Sequence, residues 1–189
     1  MSQSIKAEDS VWMVLYDASM SQRFHELARP LREALGPVAL RIDHIGSTSI
    51  AQLATKPVLD IQISVAAFEP AAAYHLPLER LGYHLYADRA HRAKQYTRDI
   101  HLQQRVDIHV RQIGSFHEQF ALLYRDYLRA HPNVSTHYTN LRLDYAQRYY
   151  QRENCREYTE AIKPFLWQIF AQADQWAEQT QWLPGPSDA

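Results

Sequence analysis

HIGSTSIAQLATKPVLDIQI, residues 44–63, is the stretch on which the fold turns. It begins at the end of a strand. In VALRIDHI (residues 38–45), Val38, Leu40, Ile42 and, extending the series, His44 alternate with Ala39, Arg41 and Asp43, the period-2 pattern of a strand with one buried face. Gly46-Ser47 then opens a run of small residues that turns the chain and leads into a short helix. KPVLDIQISV (residues 56–65) alternates again, with Leu59, Ile61, Ile63 and Val65 on one side and Asp60, Gln62 and Ser64 on the other. A Gly-Ser pair between strand and helix lets a phosphate approach the backbone, where amides and the Ser47 hydroxyl bind it. A carboxylate on the adjacent strand then holds a divalent cation that bridges phosphate oxygens. Asp60 stands at that position, and Gln62 projects from the same strand face.

Outward from this stretch the pattern is mixed. Upstream, Phe24, Leu27, Leu31 and Leu35 recur at three- and four-residue spacing, and Gly36-Pro37 stops the run, which predicts an amphipathic helix over 17–35. Downstream, a helix over about 70–81 closes at Gly82, and YHLYA (83–87), RAKQYTR (92–98) and QRVDIHVRQ (104–112) read as short strands. In the last, Val106, Ile108 and Val110 form one face, and Asp107, His109 and Arg111 the other. Asp107 is therefore a candidate third oxygen ligand. From Ser115 three helices are predicted, over 116–130, 135–150 and 155–178, and the tail LPGPSDA (183–189) reads as loose. The expected class is α+β: a mixed sheet with flanking helices over 1–114, then a helical extension over 115–189 packed on it as one unit.

Composition narrows the function. Of 189 residues, 46% are hydrophobic and 22% charged, ordinary for a chain that buries a core. Twenty basic residues against 21 acidic ones give a net charge of −1. That balance excludes a generic nucleic-acid-coating protein and argues against long nucleic acid as partner, because phosphate binding needs a basic surplus. No apolar run approaches ~18 residues, so no membrane span is expected. MSQSIKAEDS (1–10) lacks the apolar segment of a secretory signal. Cys155 is the one cysteine, which excludes an internal disulfide and a cysteine zinc site. A soluble cytoplasmic protein is the expectation.

A Gly-Ser turn, a strand Asp and a distant strand Asp follow the site logic of the polymerase-beta-like nucleotidyltransferases. HIGSTSIAQLATKPVLDIQI further resembles the signature of the GrpB family, roughly His-Ile-Gly-Ser-Thr-Ser/Ala-Val-Pro-Gly-Leu, then Ala-Lys-Pro-Ile-Ile-Asp-Ile. The resemblance continues at DIHV (107–110) and YRDYLRAHP (124–132) and spans about residues 10–175. It implies a nucleotidyltransferase-like fold with a helical C-terminal part, and relatives fused to a dephospho-CoA kinase domain point toward nucleotide or coenzyme metabolism. His44, Gly46, Ser47, Thr48, Lys56, Asp60, His109, Arg125 and Asp126 match the family pattern. Ala51-Gln52 replaces the usual Pro-Gly, and Asp107 stands where the family usually has histidine.

The expected activity is binding of a nucleoside triphosphate with Mg²⁺ or Mn²⁺ and transfer of a nucleotidyl group to a hydroxyl acceptor. Asp60 and Asp107 are the catalytic candidates, and Asp60, Gln62 and Asp107 the metal ligands. Gly46, Ser47, Thr48, Lys56 and Arg125 are the phosphate-binding candidates. His44 and His109 are candidates for acid/base groups or ligands, and their convergence with the two aspartates would suit a transition metal. Each has a plainer reading: a turn for Gly46-Ser47, a salt bridge for Asp60, a solvated Lys56, a hydrogen-bonded strand histidine for His44 and His109. Gln62 is the departure that matters. A neutral amide where such transferases carry a second carboxylate lowers the site's charge, so one metal at most is expected without nucleotide. It also favours an alternative, a non-catalytic nucleotide- or coenzyme-binding module, or one that assists a protein partner.

Overall fold

Alternation of apolar and polar side chains builds one five-stranded sheet. β1 (Arg41–Ile45), β2 (Val58–Val65), β3 (His84–Asp88), β4 (Lys94–Ile100) and β5 (Gln104–Gln112) lie in the order β1-β2-β5-β4-β3. The computed structural model describes residues 13–90, 92–100, 104–149 and 155–189. β2 and β5 run parallel, and every other neighbouring pair is antiparallel. This is the mixed sheet with flanking helices that the sequence predicts.

One face is apolar. Ile42, Leu59, Ile61, Ile63, Val65, Tyr96, Val106, Ile108 and Val110 are buried there. They pack against Phe24, Ala28, Leu31 and Leu35 of α1 (Ser19–Leu35) and Tyr74 and Leu78 of α2 (Ala72–Arg80). Each fully buried aliphatic or aromatic side chain contributes about 1.5–3 kcal/mol of transfer free energy, so this face holds the sheet to its helices.

The helical part has its own core. α3 (Phe116–Ala130), α4 (Pro132–Tyr149) and α5 (Cys155–Thr180) bury Tyr127, Leu128, Tyr138, Ala146, Tyr158, Ile162, Ile169 and Ala173 together. Ile50 and Leu53, from the connection between β1 and β2, insert into that core. The connection is fixed further by the Ala54 amide donating to Thr139 Oγ1 (3.1 Å) and Arg129 Nε donating to Ser49 O (3.0 Å). Ser115 caps α3 by accepting from the Glu118 amide, and the buried Glu118 carboxylate accepts from the Gly114 amide and from Ser64 Oγ of β2. That reach from cap to strand seats α3 on the polar face of the sheet. Among the described residues no helix is long and apolar enough to cross a membrane.

Boundaries differ from the sequence expectation for local reasons. β1 starts at Arg41 rather than Val38 because Gly36–Val38 wind into a 3-10 turn. The helix expected after Gly46 is a single 3-10 turn, Ser47–Ser49. α4 starts at Pro132, since proline lacks only an amide hydrogen that the first helical turn leaves unbonded.

The tail is the larger correction: it is not loose. β1 is an edge strand, and an edge strand presents unpaired backbone groups. The tail satisfies them. Ser187 Oγ accepts from the Ile42 amide at 2.8 Å, the Ala189 amide donates to Ile42 O at 3.1 Å, and Asp188 Oδ2 accepts from the His44 amide at 2.9 Å. Arg41 Nη1 donates to Gly185 O at 2.8 Å. Deleting residues 185–189 should therefore lower unfolding free energy by about 2 kcal/mol, since net hydrogen bonds are worth about 1 kcal/mol each and these are partly exposed. Urea unfolding checks this, with faster hydrogen exchange expected at the Ile42 and His44 amides.

Candidate functional site

The polar face of the sheet follows from strand period and register. Along β2 and β5, Asp60 lies opposite Asp107, Gln62 opposite His109, and Ser64 opposite Arg111. Residues paired across a sheet share a face, so these six look away from α1 and α2. β1 adds Asp43, opposite Gln62.

Gly46 ends β1 against this face. Its φ of +70° lies in the left-handed region that glycine tolerates best. The Asp60 side chain rests on its Cα: a Cβ there would fall 2.4 Å from Asp60 Oδ2 and 2.9 Å from its Cγ. Glycine is thus required twice at this position, once for the turn and once for the carboxylate. Ser49 Oγ donates back to Gly46 O at 2.6 Å and tightens the turn.

β5 supplies three nitrogen donors on this face, and each reaches one of the three oxygen-bearing candidates. Arg105 Nε donates to Asp107 Oδ1 at 2.7 Å, His109 Nε2 lies 2.9 Å from Asp60 Oδ1, and Arg111 Nη1 donates to Gln62 Oε1. Gln95 Nε2 lies 3.3 Å from His109 Nδ1. With that amide donating to Nδ1, the ring proton sits on Nε2 and points at Asp60. His109 is therefore a holder of Asp60 in this arrangement. Burial lowers the Arg111 guanidinium to about 10, with Asp60 and Glu118 opposing the drop, so it stays charged at neutral pH.

The structure brings Gly46, Asp60, Asp107 and His109 together and directs other candidates elsewhere. Ser47 follows Gly46, its hydroxyl bonded to Thr55 Oγ1. Lys56 is half-buried just ahead of β2. Thr48 is buried, its hydroxyl 3.1 Å from His44 Nε2, and does not face a ligand. His44 lies on the apolar face with Ile42, stacked 5.0 Å from Phe24, so the four-residue convergence with His109 and the aspartates does not form. Its burial, with Arg129 and Arg125 nearby, lowers its pKa to about 4 and keeps it neutral. Arg125 is buried and occupied: it donates to Asp126 Oδ1 and Asp188 Oδ2, both at 2.8 Å, and to His44 O at 3.3 Å. It joins α3, β1 and the tail instead of meeting phosphate. Arg105, Gln95 and the Arg111–Gln62 pair escaped the sequence reading as site residues, although alternation along β5 already put Arg111 on the right face.

Magnesium is bound through one or two carboxylates plus substrate phosphates. Asp60 and Asp107, side by side with one oxygen of each outside the bonds to β5, suit a cation that arrives with a nucleotide. Gln62 does not join them. It is fully buried, its amide oxygen bonded to Arg111 and its nitrogen 3.4 Å from Glu118 O. Among the described residues no group of three or more His, Cys, Asp or Glu is arranged to hold a metal ion.

A family model described as GrpB protein matches residues 10–172. The chain is 31% identical over 132 residues to the UPF0157 protein YqkA of Bacillus subtilis (strain 168), covering 70% of this chain and 38% of that one. It is 28% identical over 197 residues to the dephospho-CoA kinase of Mycobacterium tuberculosis (strain ATCC 25618 / H37Rv), covering 91% of this chain and 48% of that one. The chain thus spans less than half the length of these two relatives. The crystal structure of the conserved protein GrpB from Enterococcus faecalis superposes with a TM-score of 0.75 at 26% identity, over 86% of this chain and 96% of that one. A cytoplasmic RNA terminal U-transferase superposes at 0.50 with 11% identity, over 68% of this chain and 41% of that one, a likeness of fold alone.

Two outcomes follow from this geometry. Gly46→Ala should destabilise by about 1–3 kcal/mol from left-handed backbone strain plus the clash with Asp60. Gly36→Ala, at φ +50° with nothing within 4 Å of the new Cβ, is the control that bears the strain alone. Urea melts should rank Gly46→Ala below Gly36→Ala, and adding Asp60→Ala should recover part of the difference. His44 binds its proton near pH 6.5 when unfolded and near 4 when folded, so stability falls as pH drops through that window. Between pH 7 and 5 the native protein should lose about 2 kcal/mol more than His44→Gln, by urea unfolding at each pH.

Proposed function

This chain belongs to the GrpB family, and from that premise we propose that it binds a nucleoside triphosphate together with one divalent cation and serves nucleotidyl transfer to a hydroxyl acceptor. One observation carries the reading: Asp60 and Asp107 stand directly opposite on parallel strands β2 and β5, at the glycine turn that ends β1. The likeness to a nucleotidyltransferase structure supports the scaffold, and the two carboxylates supply the chemistry that scaffold needs.

Asp60 and Asp107 would hold the cation, Mg²⁺ or Mn²⁺, which on binding neutralises phosphate charge and makes the α-phosphorus easier to attack. The chain's own residues fix the rest. Gly46 keeps the turn close to Asp60, and the His109 Nε2–H holds Asp60 by its Oδ1 oxygen. Arg105 holds Asp107 in the same way. Ser47 offers its amide to a phosphate, and Lys56 adds positive charge ahead of β2. In the transfer the acceptor hydroxyl releases its proton to solvent as its oxygen forms a bond to the α-phosphorus, the bond to the pyrophosphate oxygen breaks, and pyrophosphate leaves.

A second reading has an observation of its own. Gln62, bonded to Arg111, stands where a second carboxylate would complete a two-metal site, which favours a module that binds a nucleotide or coenzyme without turning it over. Its span of about half of the mycobacterial dephospho-CoA kinases fits a module that works beside another domain or a protein partner.

A thermal-shift screen of nucleoside triphosphates and coenzyme A precursors, with and without Mg²⁺ or Mn²⁺, separates these readings. A ligand at ~100 times its dissociation constant adds ~2.7 kcal/mol of stability. The transferase reading expects a metal-dependent shift with a triphosphate that Asp60→Ala and Asp107→Ala remove, followed by pyrophosphate release on addition of the right acceptor. A shift with no turnover across acceptors supports the binding module, and no shift with any triphosphate contradicts the nucleotide reading.

A further inference from the structure

Arg111 is a partly buried charge that the proposed reaction has not used. It lies on the polar face of β5, two residues beyond His109, and its Nη1 donates to Gln62 Oε1. Gln62 in turn lies two residues from Asp60 on the same strand face. The guanidinium is thereby drawn toward the position where a second carboxylate and a second cation would sit. Among the described residues its Nε is buried without an acceptor. An orphaned buried donor is costly, and it leaves the guanidinium with hydrogen-bonding capacity that the described residues do not use.

We propose that Arg111 takes the place of a second metal ion: its guanidinium contacts the phosphate chain of the nucleotide, and the site holds one divalent cation per nucleotide rather than two. This inference rests on the nucleotide reading above. The chemistry is consistent at both residues. A guanidinium is a fixed cation whose planar fork matches phosphate oxygens, whereas a neutral amide at Gln62 gives a second divalent ion no carboxylate. A positive charge next to that amide repels a second cation as well. Asp60 and Glu118 are the acidic groups that face Arg111, and the Glu118 carboxylate is engaged by Ser64 Oγ and the Gly114 amide.

Equilibrium dialysis with Mn²⁺ and ATP, counting both on the intact protein, tests this. The native chain should carry one Mn²⁺ per bound ATP. Arg111→Met should weaken ATP binding by about 10- to 100-fold, the range of a lost charged hydrogen bond, and Arg111→Lys by less. The double variant Gln62→Glu/Arg111→Met should carry two Mn²⁺ per ATP. Circular dichroism identifies a variant that fails to fold, in which case Arg111→Gln replaces Arg111→Met, and a folded neutral variant that binds ATP as tightly as the native chain overturns the role of Arg111. Two Mn²⁺ per ATP on the native chain would overturn the role of Arg111 and leave the nucleotide reading standing. No ATP, GTP, CTP or UTP bound at any Mn²⁺ concentration overturns both.

Discussion

The contact between the Asp60 carboxylate and the bare Cα of Gly46 is the constraint on which the site depends. A side chain at position 46 would occupy the space that Asp60 fills. Because Gly46 ends β1 and Asp60 lies on β2, the contact ties the turn to the strand pairing Ile45↔Asp60 and so to the register of the antiparallel pair. The same register, carried across to β5, sets Asp60 beside Asp107. A one-residue slip would send these carboxylates to the apolar face, against α1 and α2. Turn conformation, strand register and carboxylate placement are therefore one requirement met at one glycine.

Charge is handled differently at the two ends of the polar face. Toward α3, Asp43 is fully buried between Arg41, at 2.9 Å, and Arg125, at 3.6 Å. Arg125 also holds Asp126 and Asp188. A buried ion pair left without one partner costs several kcal/mol, so this cluster fastens helix, edge strand and tail as a unit. Toward Asp60 and Asp107 the pairs are more open, with side-chain exposures of 26% and 11%. Carboxylates that keep contact with water there can exchange it for a ligand. The closed end is structural, and the open end is where the proposed chemistry would take place.

The sequence made the sheet legible because alternation is a local property. Leu59, Ile61 and Ile63 against Asp60 and Gln62, and Val106, Ile108 and Val110 against Asp107 and His109, separate the two faces without any knowledge of partners. The same period already set His44 on the side of Ile42, where it stacks on Phe24. Thr48 and Arg125 were harder. A matched motif transfers residue identity, not side-chain direction, and both turn inward. Arg125 and Asp126, neighbours on a helix, read as facing apart, yet the long arginine side chain folds back to a 2.8 Å contact. The Gly-Pro composition of the tail predicts a loose segment. What orders it is the unpaired edge of β1, and which strand is an edge depends on strand order across the whole sheet. Gln62 stands out as a departure in the sequence, but its partner Arg111 lies 49 residues away, beyond any local pattern.

A metal-bound nucleotide at the open end of the polar face is the state from which the proposed chemistry would follow. Amide chemical-shift mapping of the ¹⁵N-labelled protein with Mg-ATP reads that directly. The account predicts the largest perturbations at Gly46, Ser47, Asp60, Asp107 and Arg111, with α4 and α5 little changed. Perturbations confined to the helical part, or none at saturating nucleotide, would contradict it.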